Sequence, residues 1–202
     1  VIDTSGSMSG PSIRQAKAAL KASLDRLTPQ DRFNVLRFSH DFSQLYASAQ
    51  PATPSNLTYA RKAVDSLTAD GGTEMRPALE AALAERPATG RLRQVVFVTD
   101  GAVGNEYELF QVIARRLGGN RLFTVGIGSA PNGFFMRKAA EVGRGSFTWI
   151  GKVEEVEAKV AALLNQLSNP AMTNLSLALP SHLQKGAEVY PKVLPDLYAG
   201  EP

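Results

Sequence analysis

Apolar positions along this chain switch repeatedly between two periods. Ile13, Ala16, Leu20, Leu24 and Leu27 recur every three to four residues, which puts them on one face of a helix over 11–27 with Pro11 near its start. The run Phe33-Asn34-Val35-Leu36-Arg37-Phe38 is rich in β-formers and predicts a strand, and Gln44-Leu45-Tyr46 predicts a short edge strand. Helices are predicted over 54–67 and 77–85, the second with Leu79 and Leu83 one turn apart. Gln94-Val95-Val96-Phe97-Val98-Thr99 is nearly continuous apolar, as a strand covered on both faces should be. A helix over 106–117 keeps Leu109, Ile113 and Leu117 in register, and a second buried strand spans 122–127. A helix over 132–142 follows, then a strand over 146–149 whose Trp149 is expected in the core. Val153, Val156, Val160, Leu163, Leu164 and Leu167 mark a final amphipathic helix. Strands alternating with helices in this way imply an α/β fold: a doubly wound, mostly parallel sheet with helices on both faces, in three α/β/α layers.

The two ends depart from this pattern. Val1-Ile2-Asp3 reads as the last positions of a buried strand, and three residues are short for the centre of a sheet. The chain is therefore expected to be a piece of a longer protein. Ser168-Asn169-Pro170 ends the final helix, so the domain is expected over 1–168. In the extension 169–202, Leu175-Ser176-Leu177-Ala178-Leu179 alternates like a strand, and Pro180, Pro191 and Pro195 break up the rest. This extension reads as the start of a following β-rich region, or as a strand that packs on a preceding part.

Composition narrows the function classes. With 202 residues and 44% of them hydrophobic, the chain can bury one sizeable core. A net charge of +3, with no Lys/Arg run longer than two, argues against nucleic acid as the partner. The absence of Cys excludes a disulfide scaffold, a thiolate zinc site and a cysteine nucleophile. No apolar run is long enough for a membrane span.

The chemistry is concentrated in three loops. Asp3-Thr4-Ser5-Gly6-Ser7-Met8 follows the first strand, and Gly6 at its bend can turn the oxygens of Asp3, Ser5 and Ser7 toward one point. Asp100-Gly101 follows the buried strand ending at Thr99, and Asp70-Gly71-Gly72-Thr73-Glu74-Met75 offers a hydroxyl before the third helix. In an open α/β sheet, ligands bind beyond the carboxyl ends of the strands where the strand order reverses. Two carboxylates and three hydroxyls suit a hard cation such as Mg²⁺, and Mn²⁺ or Ca²⁺ suit the same oxygens. Two carboxylates leave a divalent ion near neutral and able to accept one more anionic oxygen; three or four would repel it.

These loops resemble the metal-ion-dependent adhesion site of the von Willebrand factor type A domain. That site reads Asp-x-Ser-x-Ser, then a distant Thr, then an Asp, matched here by Asp3, Ser5, Ser7, Thr73 and Asp100. The resemblance covers roughly residues 1–168. It implies a Rossmann-like sandwich with strand order 3-2-1-4-5-6 and one antiparallel edge strand. Ser5 and Ser7 are then direct ligands, Thr73 a ligand directly or through water, and Asp3 and Asp100 act through bound waters. It further implies a non-enzymatic module that binds a protein or extracellular-matrix partner, whose Asp or Glu carboxylate completes the coordination. In relatives with regulated affinity the last helix shifts, which here is 152–167.

A finer resemblance is to the inter-alpha-trypsin-inhibitor heavy-chain-like group. It rests on Asp3-Thr4-Ser5-Gly6-Ser7-Met8, on Gly71-Gly72-Thr73-Glu74-Met75, on Thr99-Asp100-Gly101-Ala102-Val103-Gly104-Asn105-Glu106, and on the tail Tyr190-Pro191-Lys192-Val193-Leu194-Pro195-Asp196-Leu197-Tyr198-Ala199-Gly200-Glu201-Pro202. Within it the chain is most similar to proteobacterial sortase-target surface proteins. This implies an upstream β-rich domain and an extracellular or cell-surface location.

Other readings compete at each residue. Ser5 and Ser7, or Thr73, suit a helix cap, and Asp100-Gly101 suits a strand-end turn. Asp3 also stands where a haloacid-dehalogenase-type hydrolase keeps its nucleophile, but that chemistry wants a carboxylate two residues on, where Ser5 stands. A structural assembly module with an idle metal site is a third reading. Gly126-Ile127-Gly128 lacks the third Gly of a dinucleotide loop, having Pro131 there. Ser39-His40-Asp41 are sequence neighbours that cannot form a relay, and His40 and His182 are expected at the surface. Glu74 and the 106–117 helix are expected at the rim of the site.

Overall fold

The computed structural model describes residues 1–198 apart from 87–89, 102, 169, 174, 181, 184–185 and 191–193. The elements in chain order are β1 (Ile2–Asp3), a 3₁₀ turn (Gly6–Met8), α1 (Pro11–Asp25), β2 (Arg32–Phe33), β3 (Leu36–Phe38), β4 (Phe42–Gln44), β5 (Gln50–Pro51), α2 (Pro54–Asp65), α3 (Met75–Ala84), β6 (Gln94–Thr99), α4 (Glu106–Arg116), β7 (Arg121–Ile127), α5 (Gly133–Val142), β8 (Phe147–Ile150), a second 3₁₀ turn (Val153–Glu155), α6 (Val156–Ser168), β9 (Pro170–Met172) and β10 (Leu197–Tyr198).

The main sheet has the order β4-β3-β1-β6-β7-β8. Counted along the chain within this sheet, that is 3-2-1-4-5-6, and only β4 runs antiparallel. Helices α3, α4 and α5 cover one face, where Leu79, Val95, Phe97, Leu109 and Phe135 pack. Helices α1 and α6 cover the other, with Ile2, Val98, Phe123, Ile127 and Val160. Successive residues of β6 and β7 thus feed opposite cores, as the two-residue period requires. All seven residues of β7 are buried.

Local chemistry sets the helix starts. Thr53 caps α2 by accepting from the Asn56 amide, with Pro54 in the first turn, and Asn132 caps α5 by accepting from the Phe135 amide.

The strand expected over 33–38 is broken in two. Asn34 uses its side chain where a strand would use backbone: its Oδ1 accepts from the amides of Val35 and Tyr46, and its Nδ2 donates to the Tyr46 carbonyl. This ends β2, which pairs with β5, and restarts the chain as β3. The edge strand lies at Phe42–Gln44, slightly before its expected place. Trp149 is 48% exposed on the edge strand β8, its indole N–H donating to the Gly128 carbonyl, so it is not a core residue.

The extension folds back. No strand forms over 175–179; instead β9, directly after α6, pairs antiparallel with β10. Arg121 at the start of β7 and Asp196 form a two-pronged ion pair, at 1% and 0% side-chain exposure. Tyr198 packs edge-on against Phe123. Much of the tail motif over 190–202, namely 191–193 and 199–202, lies outside the described residues, as do Ala102 and Asn169.

Candidate metal centre

The first loop is built by dividing alternate residues. Thr4 is committed to β3: its amide and its hydroxyl both donate to the Phe38 carbonyl, at 2.8 and 2.9 Å. Asp3 and Ser5, on either side of it, are fully buried. The 3₁₀ turn then brings Ser7 back over Ser5, with Met8 buried as its anchor and the Met8 amide donating to the Ser5 carbonyl. The two hydroxyl oxygens lie 3.1 Å apart. That separation suits a hydroxyl–hydroxyl hydrogen bond. It also suits neighbouring corners of a cation's coordination shell, which are about 2.9 Å apart around Mg²⁺ and about 3.4 Å around Ca²⁺.

Asp3 ties the strand ends together. Its Oδ1 accepts from the Ser5 amide at 2.8 Å, and its Oδ2 accepts from the Thr99 hydroxyl at 2.5 Å. The Thr99 hydroxyl in turn accepts from the Gly101 amide at 2.9 Å. One relay therefore joins the carboxyl ends of β1 and β6, between which the strand order reverses. Asp100, half-buried, is the next residue after Thr99, and its backbone carbonyl accepts from the Asn132 amide.

The loop bearing Thr73 is laced to the first. The Asp70 amide donates to the Thr4 carbonyl, and the Gly6 amide donates to the Gly71 carbonyl. Gly71 has a φ of +78°, and a Cβ there would fall 2.4 Å from His40 Nδ1. Both backbone sign and space therefore demand glycine. The Glu74 amide donates to the Ser39 carbonyl, closing the loop's far side. Thr73 stands half-buried between these two ties, and Glu74 is exposed at the edge. The structure thus brings Asp3, Ser5 and Ser7 into one hydrogen-bonded group, sets Asp100 beside it through Thr99, and places Thr73 on a loop bonded to it.

The electrostatics call for a cation. Burial pushes the Asp3 carboxyl above its ordinary value; the hydrogen bonds from Thr99 and Ser5 oppose this, and the nearby Asp100 charge adds to it. Among the described residues no ion pair includes Asp3, and the influences on its carboxyl are burial, hydrogen bonds and the Asp100 charge. A buried carboxylate without a counter-charge is costly. A divalent ion among these oxygens would supply the missing charge, so the residues fit the metal that the loop pattern implies. Among the described residues no three His, Asp or Glu side chains cluster as a metal site; the side-chain oxygens that hydrogen bonds bring together are those of Asp3, Ser5, Ser7 and Thr99.

Sequence reasoning missed three contributors. Thr99 was visible as the one hydroxyl of β6, after the apolar run Val95–Val98 and next to Asp100. Asn132 was visible only as a helix cap. The contact of His40 with Gly71 left no local signal, being made across 31 positions of sequence.

Residues 1–148 match the family model described as von Willebrand factor type A domain. A human inter-alpha-trypsin inhibitor heavy chain is 30% identical over 195 residues, covering 90% of this chain and 21% of the heavy chain. A von Willebrand factor type A structure from Catenulispora acidiphila superposes with a TM-score of 0.74 at 24% identity, over 84% of this chain and 42% of that one. Proximal thread matrix protein 1 from the mussel byssus, solved with a zinc-occupied MIDAS motif, gives 0.60 at 18% identity, over 80% and 43%. At these identities the two structures speak to the fold alone. The chain spans about a fifth of the length of the relatives it matches by sequence.

Proposed function

The chain belongs to the von Willebrand factor type A family, and on that premise we propose that it is a non-enzymatic binding module whose grip on a partner depends on a divalent cation. The family domain spans 1–168, and 169–202 is its extension, anchored through Asp196 and Tyr198. Asp3, Ser5, Ser7, Thr73 and Asp100 hold the ion, with Mg²⁺ favoured by the all-oxygen donor set and Mn²⁺ or Ca²⁺ as alternatives. The ion's contribution, when bound, is an electrophilic corner open to an oxygen anion of the partner. The chain's own residues do the positioning. Thr99 and the Ser5 amide hold both Asp3 oxygens, so Asp3 orients rather than crowds the site. The partner is a protein or matrix component presenting an Asp or Glu carboxylate. A cell-surface or extracellular location belongs to the same proposal. Among the described residues no helix is long and apolar enough to cross a membrane.

The observation that carries this reading is the buried Asp3 carboxylate, without a cationic partner among the described residues, beside two hydroxyls 3.1 Å apart. The test is a pull-down of partners with Mg²⁺, with EDTA, and with Ser5→Ala/Ser7→Ala. Capture should need both the ion and the hydroxyls. Capture that survives chelation would instead favour a structural module. Turnover of a phosphate ester that is lost in Asp3→Ala would favour a hydrolase.

A further inference from the structure

We propose that β4 is a pairing edge, along which two copies of this chain join antiparallel into one continuous sheet. The inference stands apart from the cation-dependent reading. β4 ends the main sheet, and its residues Phe42, Ser43 and Gln44 are all exposed. The Ser39 amide donates to the Asp41 carbonyl, and the Leu45 amide donates to the Val35 carbonyl. Between these bonds the register sets Ser43 opposite Arg37. Positions 41, 43 and 45 therefore face β3. Bonding direction alternates along an antiparallel strand, so the N–H and C=O groups of Phe42 and Gln44 point away from the sheet. Among the described residues no loop backbone or side chain bonds to them.

The opposite edge of the sheet is guarded. In β8 the carbonyls of Ser146 and Ile150 accept from the amides of Thr124 and Gly128, so Phe147 and Trp149 turn their backbone groups outward. Lys159 Nζ donates to the Trp149 carbonyl at 2.5 Å and lies over the Trp149 ring, and the Arg137 guanidinium lies over the Phe147 ring. Charged side chains, Lys above all, are a means by which edge strands resist pairing. β4, with the sequence Phe-Ser-Gln, carries neither a charge nor a Pro.

A second copy fits this edge because β4 supplies both halves of the contact. Phe42 and Gln44 stand opposite Phe38 and Leu36. Those two pack in the core with Leu79 of α3, so the Phe42 and Gln44 side chains lie on the α3 face. There they line a groove of about 350 Å³ with Leu36, Ala47, Ala81 and Ala84. The charged residues of the groove, Glu85 and Arg93, pair with each other. Phe42 and Gln44 are symmetric about Ser43. With Ser43 set against Ser43, each Phe42 faces the second copy's Gln44, and each such pair exchanges two backbone hydrogen bonds. Each Phe42, 41% exposed in the single chain, then lies beside the Gln44 that lines the other groove. Asp41 falls opposite Leu45, so no like charges meet. A foreign strand would match the backbone groups alone; a second copy brings an apolar ring in the same register. Three paired residues a side fall short of a permanent interface, which makes the dimer weak and reversible.

The test is sedimentation equilibrium of the purified chain, with amide exchange followed by NMR. We expect a monomer–dimer equilibrium half dissociated at about 10–100 μM, the same in Mg²⁺ and in EDTA. Phe42→Ser should weaken it at least about tenfold, with the monomer's circular dichroism unchanged. Gln44→Pro removes one outward N–H, spares the bonds to β3, and should weaken it comparably. On concentration, exchange should slow at the amides of Phe42 and Gln44, and not at Ser43, which already faces β3. A chain still monomeric at about 500 μM overturns the inference. So does a dimer that neither substitution weakens. A dimer lost in EDTA or in Ser5→Ala/Ser7→Ala overturns it in favour of association through the metal centre. A monomer whose Phe42 and Gln44 amides are protected instead by an added peptide of alternating Thr and Val overturns it in favour of a foreign strand.

Discussion

Replacing Asp196 by Ala should destabilise the whole domain, although Asp196 lies 28 residues beyond the end of α6. The reason is Arg121. Its side chain is 1% exposed, and Asp196 meets its Nε and Nη2 in a fork. Removing one partner of a buried pair leaves an uncompensated charge and costs about 3–5 kcal/mol. Arg121 Nη1 also donates to the carbonyls of Gly119 and Asn120, which offsets part of the loss and favours the lower end of that range. At about 2–4 °C per kcal/mol for a chain of this size, the melting temperature should fall by about 6–20 °C. Urea unfolding followed by circular dichroism gives the free energy directly. The double substitution Arg121→Met/Asp196→Leu should recover most of the loss, because it removes both charges and keeps the volume. A loss below about 1 kcal/mol for Asp196→Ala, or no recovery in the double variant, would refute the claim that the extension is anchored on β7.

Three further outcomes follow from the site. Burial holds the folded-state pKa of Asp3 above its ordinary 3.8, so between those two values the folded chain keeps a proton that the unfolded chain has released. Cation-free stability should therefore fall as pH rises through that window, and the Mg²⁺-induced rise in melting temperature should be larger at neutral pH than near pH 4; equal rises would contradict this. Thr99→Val removes the hydroxyl that donates to Asp3 and accepts from Gly101. It should cost about 1–3 kcal/mol in stability and about 10–100-fold in Mn²⁺ affinity by calorimetry, and unchanged affinity would remove Thr99 from the account. Gly71→Ala should cost about 1–2 kcal/mol from its left-handed backbone alone, measured by urea unfolding. Adding His40→Ala should relieve only the steric part, so full rescue would contradict the backbone argument.

The helices were legible because their buried faces repeat with the helical period: Leu57, Ala60 and Val64 in α2, and Leu109, Val112 and Ile113 in α4, are such stripes. The strands β6 and β7 were legible as apolar runs because both of their faces are covered. What escaped depends on side chains substituting for backbone or on distant pairing. Asn34 divides an apparently continuous strand by bonding across to Tyr46. Trp149 read as core by residue type, yet it sits on an edge strand with its indole satisfied by Gly128. The ion pair of Arg121 and Asp196 joins residues 75 positions apart, and neither residue's surroundings in sequence mark it as buried. At the candidate site the loops and their oxygens were legible from local spacing, because two of the loops follow strand ends, the third lies between α2 and α3, and all three carry Gly. The lacing between them was not, since it runs through backbone carbonyls of Thr4 and Gly71 that carry no residue-specific mark.

The most direct test of the account is an anomalous difference map from a crystal of this chain soaked in Mn²⁺. The expected result is one dominant peak about 2.1–2.2 Å from both Ser5 Oγ and Ser7 Oγ, with Thr73 and Asp100 around it, and its disappearance in Ser5→Ala/Ser7→Ala. A well-ordered map at saturating Mn²⁺ with no peak between those hydroxyls, or with the ion bound elsewhere, would contradict the account.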